Sequence, residues 1–133
     1  MIKLSASGDY AIKSVIYIAE SDLDLVKIKD ISKDLGISEG FLRRIIASLE
    51  KWWILTSVKW RNGGVKLSKD KDKISLFWIL SASWEDMFLT WCTEGKDCPH
   101  KEWCNSTKAF NSLQKGFNSL LKLHTLDRII NSK

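Results

Sequence analysis

In SASGDYAIKSVIYIAES, Ala11, Ser14, Val15, Ile18 and Ala19 fall at offsets 0, 3, 4, 7 and 8. That spacing predicts an amphipathic helix over about residues 7–21, opened by Ser and Asp. After the short polar connection DLDLVKIKD, Ile28, Ile31 and Leu35 line one face of a second helix that ends at Gly36. Ser38 then stands as an N-cap, and Phe41, Leu42, Ile45, Ile46 and Leu49 predict a third helix to about Lys51. Helix, glycine turn, helix is the grammar of a helix-turn-helix, although any helical hairpin with a glycine turn shares it. The next segment sharpens it: ILTSV at 54–58 and VKLS at 65–68 are β-type runs around KWRNGG, whose Asn-Gly is a hairpin signal. The order of elements is that of a winged helix-turn-helix.

KISLFWILSASW at 73–84 predicts a further short helix, and residues 85–104 are polar and irregular. From Asn105 the helical pattern returns through Ala109, Phe110, Leu113, Phe117, Leu120, Leu121 and His124. Such a helix is about 30 Å long and needs a partner for its apolar face. A second copy across a two-fold axis is the expected cover, and packing back on its own domain is the alternative. TLDRII predicts a short terminal helix. The fold class expected is therefore mainly α with a small β-wing. Residues 1–84 form a winged helix-turn-helix domain, 85–104 a loop, and 105–133 a long dimerisation helix with a C-terminal tail.

The 133 residues suffice for one domain, and no apolar run approaches the roughly 18 residues of a membrane span. With no apolar leader either, a soluble cytoplasmic protein is expected. The net charge of +5 is unevenly placed: residues 38–73 carry nine Lys/Arg against four Asp/Glu, while the flanking segments nearly balance. That excess coincides with the helix-turn-helix and wing, which points to a phosphate-facing surface and double-stranded DNA as partner. The residues that would face DNA are Ser38, Glu39, Phe41, Arg43 and Arg44 on the second helix of the motif, with Lys59, Arg61 and Lys66 on the wing. Arg43 and Arg44 lie about 100° apart on a helix, so one can address a guanine edge while the other takes a phosphate. The plainer alternatives are solvated arginines and a Phe41 that belongs to the core.

All three cysteines lie in CTEGKDCPHKEWC, with five residues between neighbours. Their odd number and clustering argue against a disulfide framework. Burial as small hydrophobes is one reading, though the setting is polar. Zinc is another, with His100 as a fourth ligand, though its pairs are usually two to four residues apart. An iron–sulfur cluster held by thiolates and one other ligand is the third. No dithiol pair, phosphate loop or nucleophile–base set is present in the sequence, so neither an enzyme nor a small-molecule substrate is expected.

KLSASGDYAIK, ISKDLGIS, SVKWRNGGVKLSK, the cysteine triplet and TLDRII, taken in this order, make the chain resemble the IscR/NsrR/CymR family of bacterial winged-helix transcription regulators. The resemblance implies a homodimer that binds a palindromic operator, with repression the expected outcome. In members with the triplet it also implies a [4Fe-4S] or [2Fe-2S] cluster that sets DNA affinity and senses redox state, nitric oxide, oxygen or iron–sulfur status. Cys92, Cys98 and Cys104 carry over as ligands. One branch has a histidine three residues after the last cysteine, where this chain has Thr107. The nitric-oxide-sensing branch has an aspartate in the first helix, given by the other subunit, which corresponds to Asp9. Asp9 could instead be a carboxylate at a helix N-terminus. A cluster-free regulator using the cysteines for zinc or thiol oxidation is the alternative function. Seven tryptophans is heavy usage, several of them depart from the pattern, and Trp53 stands where the family has a glycine ending the recognition helix. A tryptophan there is expected to choose another helix ending, and Trp60 replaces a small residue at the wing tip.

Overall fold

The computed structural model describes residues 4–59, 63–83, 88–89, 99–100 and 102–131. Helix α1 (Ala6–Glu20) starts where the Ser5 hydroxyl accepts the Gly8 N–H at 3.1 Å, and it buries Gly8, Ala11, Ser14, Val15, Ile18 and Ala19. Ser14 is fully buried among them because its hydroxyl donates to the Tyr10 carbonyl at 2.7 Å. A buried polar group that has a partner costs little.

Helix α2 (Ile28–Leu35) ends at Gly36, whose φ of 67° is the left-handed conformation that glycine adopts without strain. The chain reverses and re-enters helix α3 (Glu39–Lys51), capped by Ser38, whose hydroxyl accepts the Phe41 N–H at 3.3 Å. Ile37 and Leu42, both buried, flank that cap at the positions of a hydrophobic staple.

Helix α3 ends differently from the expectation. Trp53 does not seek another ending: it takes the glycine conformation, with φ 61°. Its N–H donates to the Glu50 carbonyl and the Ile54 N–H to the Leu49 carbonyl, both at 3.0 Å, which is the bonding of a Schellman cap. Leu49 and Ile54 are both buried, so burial of their side chains and two backbone bonds hold a conformation that costs a non-glycine residue about 1–2 kcal/mol. Trp53→Gly is therefore expected to stabilise the fold by about 0.5–1 kcal/mol, after subtracting glycine's greater freedom when unfolded. The check is a higher urea midpoint at unchanged slope, and a lower midpoint would contradict it.

Strands β1 (Leu55–Val58) and β2 (Gly64–Leu67) pair antiparallel, with Leu55 opposite Leu67 and Ser57 opposite Val65. The connection before α2, polar in sequence, adds a third edge: Val26 is buried and exchanges both backbone hydrogen bonds with Val65, at 2.9 and 2.8 Å. Gly64 makes this approach possible, because a Cβ there would stand 2.6 Å from the Val26 carbonyl oxygen.

Helix α4 (Leu76–Ala82) is shorter than the 73–84 expected; Lys71–Lys73 forms a 3-10 turn and Ser75 is extended. Helix α5 (Asn105–Leu123) is the long helix, and α6 (Leu126–Asn131) closes the chain. The tail returns to the body: Leu76 N–H donates to His124 O at 3.0 Å, Leu126 N–H to Ile74 O at 2.9 Å, and Leu126 is fully buried. Farther along α5, buried Gln114 accepts the Leu89 N–H at 2.7 Å through Oε1 and donates to Asn118 at 2.9 Å. One flank of α5 is thus tied to the domain. No helix among the described residues is long and apolar enough to cross a membrane.

Candidate nucleic-acid interface and cysteine segment

The Gly36 reversal sets α2 and α3 as the two helices of a helix-turn-helix, and α3 buries Leu42, Ile45, Ile46, Ser48 and Leu49. Those residues fix which side faces out: Ser38, Arg43 and Arg44 are exposed and Glu39 is half-exposed. Arg43 is held by Glu39 one turn earlier in an exposed ion pair at 2.7 Å. The Arg44 guanidinium lies over the Phe41 ring, 5.7 Å from its centre. The two arginines therefore have different neighbours: Arg43 is half-neutralised by a carboxylate, and Arg44 keeps its charge on an apolar support. Phe41 is half-buried against the core and meets Tyr10 of α1 edge-on, at 5.9 Å between centres. Lys59 and Lys66 are exposed on the hairpin, whereas Arg61 and Trp60 lie outside the described residues.

Tyr10 belongs to the same turn of α1 as Asp9. The Asp9 carboxylate pairs with Lys13 at 2.8 Å, and this hydrogen bond and its charge raise the Lys13 ammonium above its usual pKa. Lys13 also lies over the Tyr10 ring at 5.7 Å. Asp9, Lys13, Tyr10, Phe41 and Arg44 thus form one row running from α1 to the outer face of α3. Sequence periodicity does not show this row, because it crosses two helices that are about 30 residues apart in the chain.

Cys92 and Cys98 lie outside the described residues; Cys104 is the N-cap of α5. The Thr107 hydroxyl first, then the first-turn amides of Thr107 and Ser106, hold the Cys104 thiol below its ordinary pKa. A helix N-terminus favours the thiolate, which is the form that ligates metal. His100 is exposed, its ring 4.8 Å from that of Trp103, and its carbonyl accepts the Cys104 N–H at 3.0 Å. Among the described residues, no three His, Cys, Asp or Glu side chains converge on one point.

A helix-turn-helix whose second helix exposes two arginines, continued by a two-stranded wing, defines the winged-helix class of DNA-binding proteins. Residues 4–132 match the Rrf2 family, described as iron-dependent transcriptional regulators, and the chain belongs to that family. It is 28% identical over 132 residues to the HTH-type transcriptional regulator NsrR of Bacillus licheniformis, covering 97% of this chain and 92% of that one. It is also 28% identical over 133 residues to the HTH-type transcriptional regulator IscR of Pectobacterium atrosepticum, covering 99% and 81%. In fold, CymR, the global cysteine regulator of B. subtilis, superposes with a TM-score of 0.79 at 19% identity, covering 100% and 99% of the two chains. The chain is a transcription regulator of the Rrf2 type, in a family of regulators and not of enzymes.

Proposed function

We propose that the protein is a cytoplasmic homodimeric repressor that binds a palindromic operator and that its DNA affinity depends on an iron–sulfur cluster. Cys92, Cys98 and Cys104 of one subunit would hold the cluster, with Asp9 of the second subunit as fourth ligand. The observation that supports this reading most is the makeup of α5. One helix carries at its N-cap a thiol held below its ordinary pKa and an uncovered row of leucines along its length. A ligand site and a dimer seam would then share a single rigid element.

The donor set fits such a group. Cys104 supplies a thiol held below its ordinary pKa, and Asp9 is restrained only by an exposed ion pair with Lys13. When bound, the cluster supplies iron that reacts with nitric oxide or oxygen or changes redox state. A carboxylate binds iron less tightly than a thiolate and leaves it more accessible. Asp9 can hold either Lys13 within its own helix or a metal across the dimer. The choice bears on the turn that carries Tyr10, which backs Phe41 and, through it, Arg44.

Anaerobic purification with iron and sulfide analysis tests the proposal. A brown protein with equimolar iron and sulfide is expected, and a colourless protein whose cysteines hold zinc would establish the cluster-free alternative instead. Asp9→Ala is expected to fold normally, lose its colour faster in air and bind the operator alike before and after that loss. Unchanged cluster lifetime and unchanged cluster dependence would remove Asp9 from the ligand set. On the DNA side, Ser38, Glu39, Phe41, Arg43, Arg44, Lys59 and Arg61 form the proposed contact surface. Arg44→Ala is expected to weaken operator binding about tenfold or more at fixed salt, the cost of one good arginine contact. Fluorescence anisotropy reads this directly, and wild-type affinity in the variant would contradict it.

A further inference from the structure

We propose that Glu39 and Arg43 act as one unit that reads a single G·C base pair in each operator half-site, the arginine taking the guanine edge and the glutamate the cytosine amino group. This deepens, and rests on, the reading of the protein as an operator-binding repressor. The two residues are one turn apart at the N-terminal end of α3, the part of a helix-turn-helix that reaches base edges. Arg43 Nη2 donates to Glu39 Oε1 at 2.7 Å, in an exposed pair. A guanidinium has five N–H donors in a rigid fork, so one bond to the carboxylate leaves Arg43 others for DNA. In the major groove a G·C pair presents acceptor, acceptor, donor: guanine N7, guanine O6 and cytosine N4. The fork and its attached carboxylate offer the complement in the same order, donor, donor, acceptor. The spacing agrees as well, because O6 and N4 are hydrogen-bonded to each other in the base pair, at about 2.9 Å. An A·T pair would set adenine N6, a donor, against the fork and thymine O4, an acceptor, against the carboxylate. A carboxylate also repels phosphates, so the unit weakens binding wherever that base edge is missing. Arg44 stands apart from it, over the Phe41 ring and about 100° farther around the helix.

The test uses palindromic duplexes that the wild-type protein selects from a library with randomised half-sites, followed by single base-pair changes read by fluorescence anisotropy. Wild type should demand G·C at one position of each half-site, losing about tenfold or more in affinity with any other pair there. Glu39→Ala and Arg43→Ala should both abolish the preference at that same position and keep those elsewhere. Glu39→Ala should also bind an unrelated duplex about threefold more tightly, because it frees a full positive charge for phosphates. Arg44→Ala is the contrast, with weaker binding and the G·C preference intact. Both pair variants should fold as wild type does, since an exposed ion pair contributes little to stability. Glu39→Ala keeping the wild-type preference, the two variants relaxing different positions, or Arg44→Ala losing the same preference would overturn the proposal. A wild-type protein that selects no sequence would end the operator reading and this inference with it. A selected palindrome that both pair variants read unchanged would overturn the pairing alone.

Discussion

Replacing Leu113 and Leu120 together with Glu is expected to give a folded monomer that no longer binds a two-half-site operator. Only Thr107 and Gln114 of α5 are buried in the chain, while Leu113, Leu120 and Leu123 remain 59%, 56% and 53% exposed. Leu113 and Leu120 lie two helical turns apart on one flank, with Gly116 between them and nothing within 4 Å of where a Gly116 Cβ would stand. In the proposed dimer, that flank would face the second copy's helix. A full burial is worth about 1.5–3 kcal/mol per leucine, and a two-fold axis counts each residue twice. Charges placed there would be buried without partners in a dimer, so the equilibrium should move to the monomer. The body of the chain should survive, because its core is built from α1 to α4, the wing and Leu126, with no core residue on α5. With its two half-sites no longer read by one linked pair, operator affinity should fall about 100- to 10,000-fold. Sedimentation and anisotropy check both halves, and a persistent dimer would show that another surface pairs the subunits.

Cys104→Ser should give a colourless protein at least as stable as the wild type. Serine is a poor iron ligand but a good N-cap, whereas Cys104 makes no side-chain capping bond within ordinary hydrogen-bond geometry. Gain of a cap adds about 0.5–1 kcal/mol to helix stability, so loss of colour would not be confused with loss of fold. The variant's operator affinity should match that of wild-type protein stripped of its cluster, with no response to nitric oxide or oxygen. A variant that stays brown, or loses cluster without any change in affinity, would refute the part assigned to Cys104.

Much of this fold is legible in the sequence because its signals are local. The 3- and 4-residue spacing from Ala11 to Ala19 marks α1, Gly36 the left-handed reversal, and Asn62-Gly63 the hairpin. Contacts between segments far apart in the chain are not legible. Val26 sits in a run of charges yet pairs with Val65, and Thr125 pairs with Ser75 across nearly fifty residues. Trp53 departs from its expected ending for a related reason: burial of Leu49 and Ile54 and two backbone hydrogen bonds override its own φ preference. In the site, the charge excess of residues 38–73 points to α3 and the wing. The supports of the two arginines, a carboxylate and a ring, show only in three dimensions.

If the cofactor's integrity sets how firmly the dimer holds DNA, one titration tests it most directly. A single fluorescent palindromic duplex, at one salt concentration, is titrated with anaerobic protein before and after nitric oxide has destroyed the cluster. Two well-separated affinities are expected in wild type, and a single, unresponsive one in Cys104→Ser. Identical binding curves in all three samples, from a wild-type protein shown to contain iron and sulfide, would contradict that dependence.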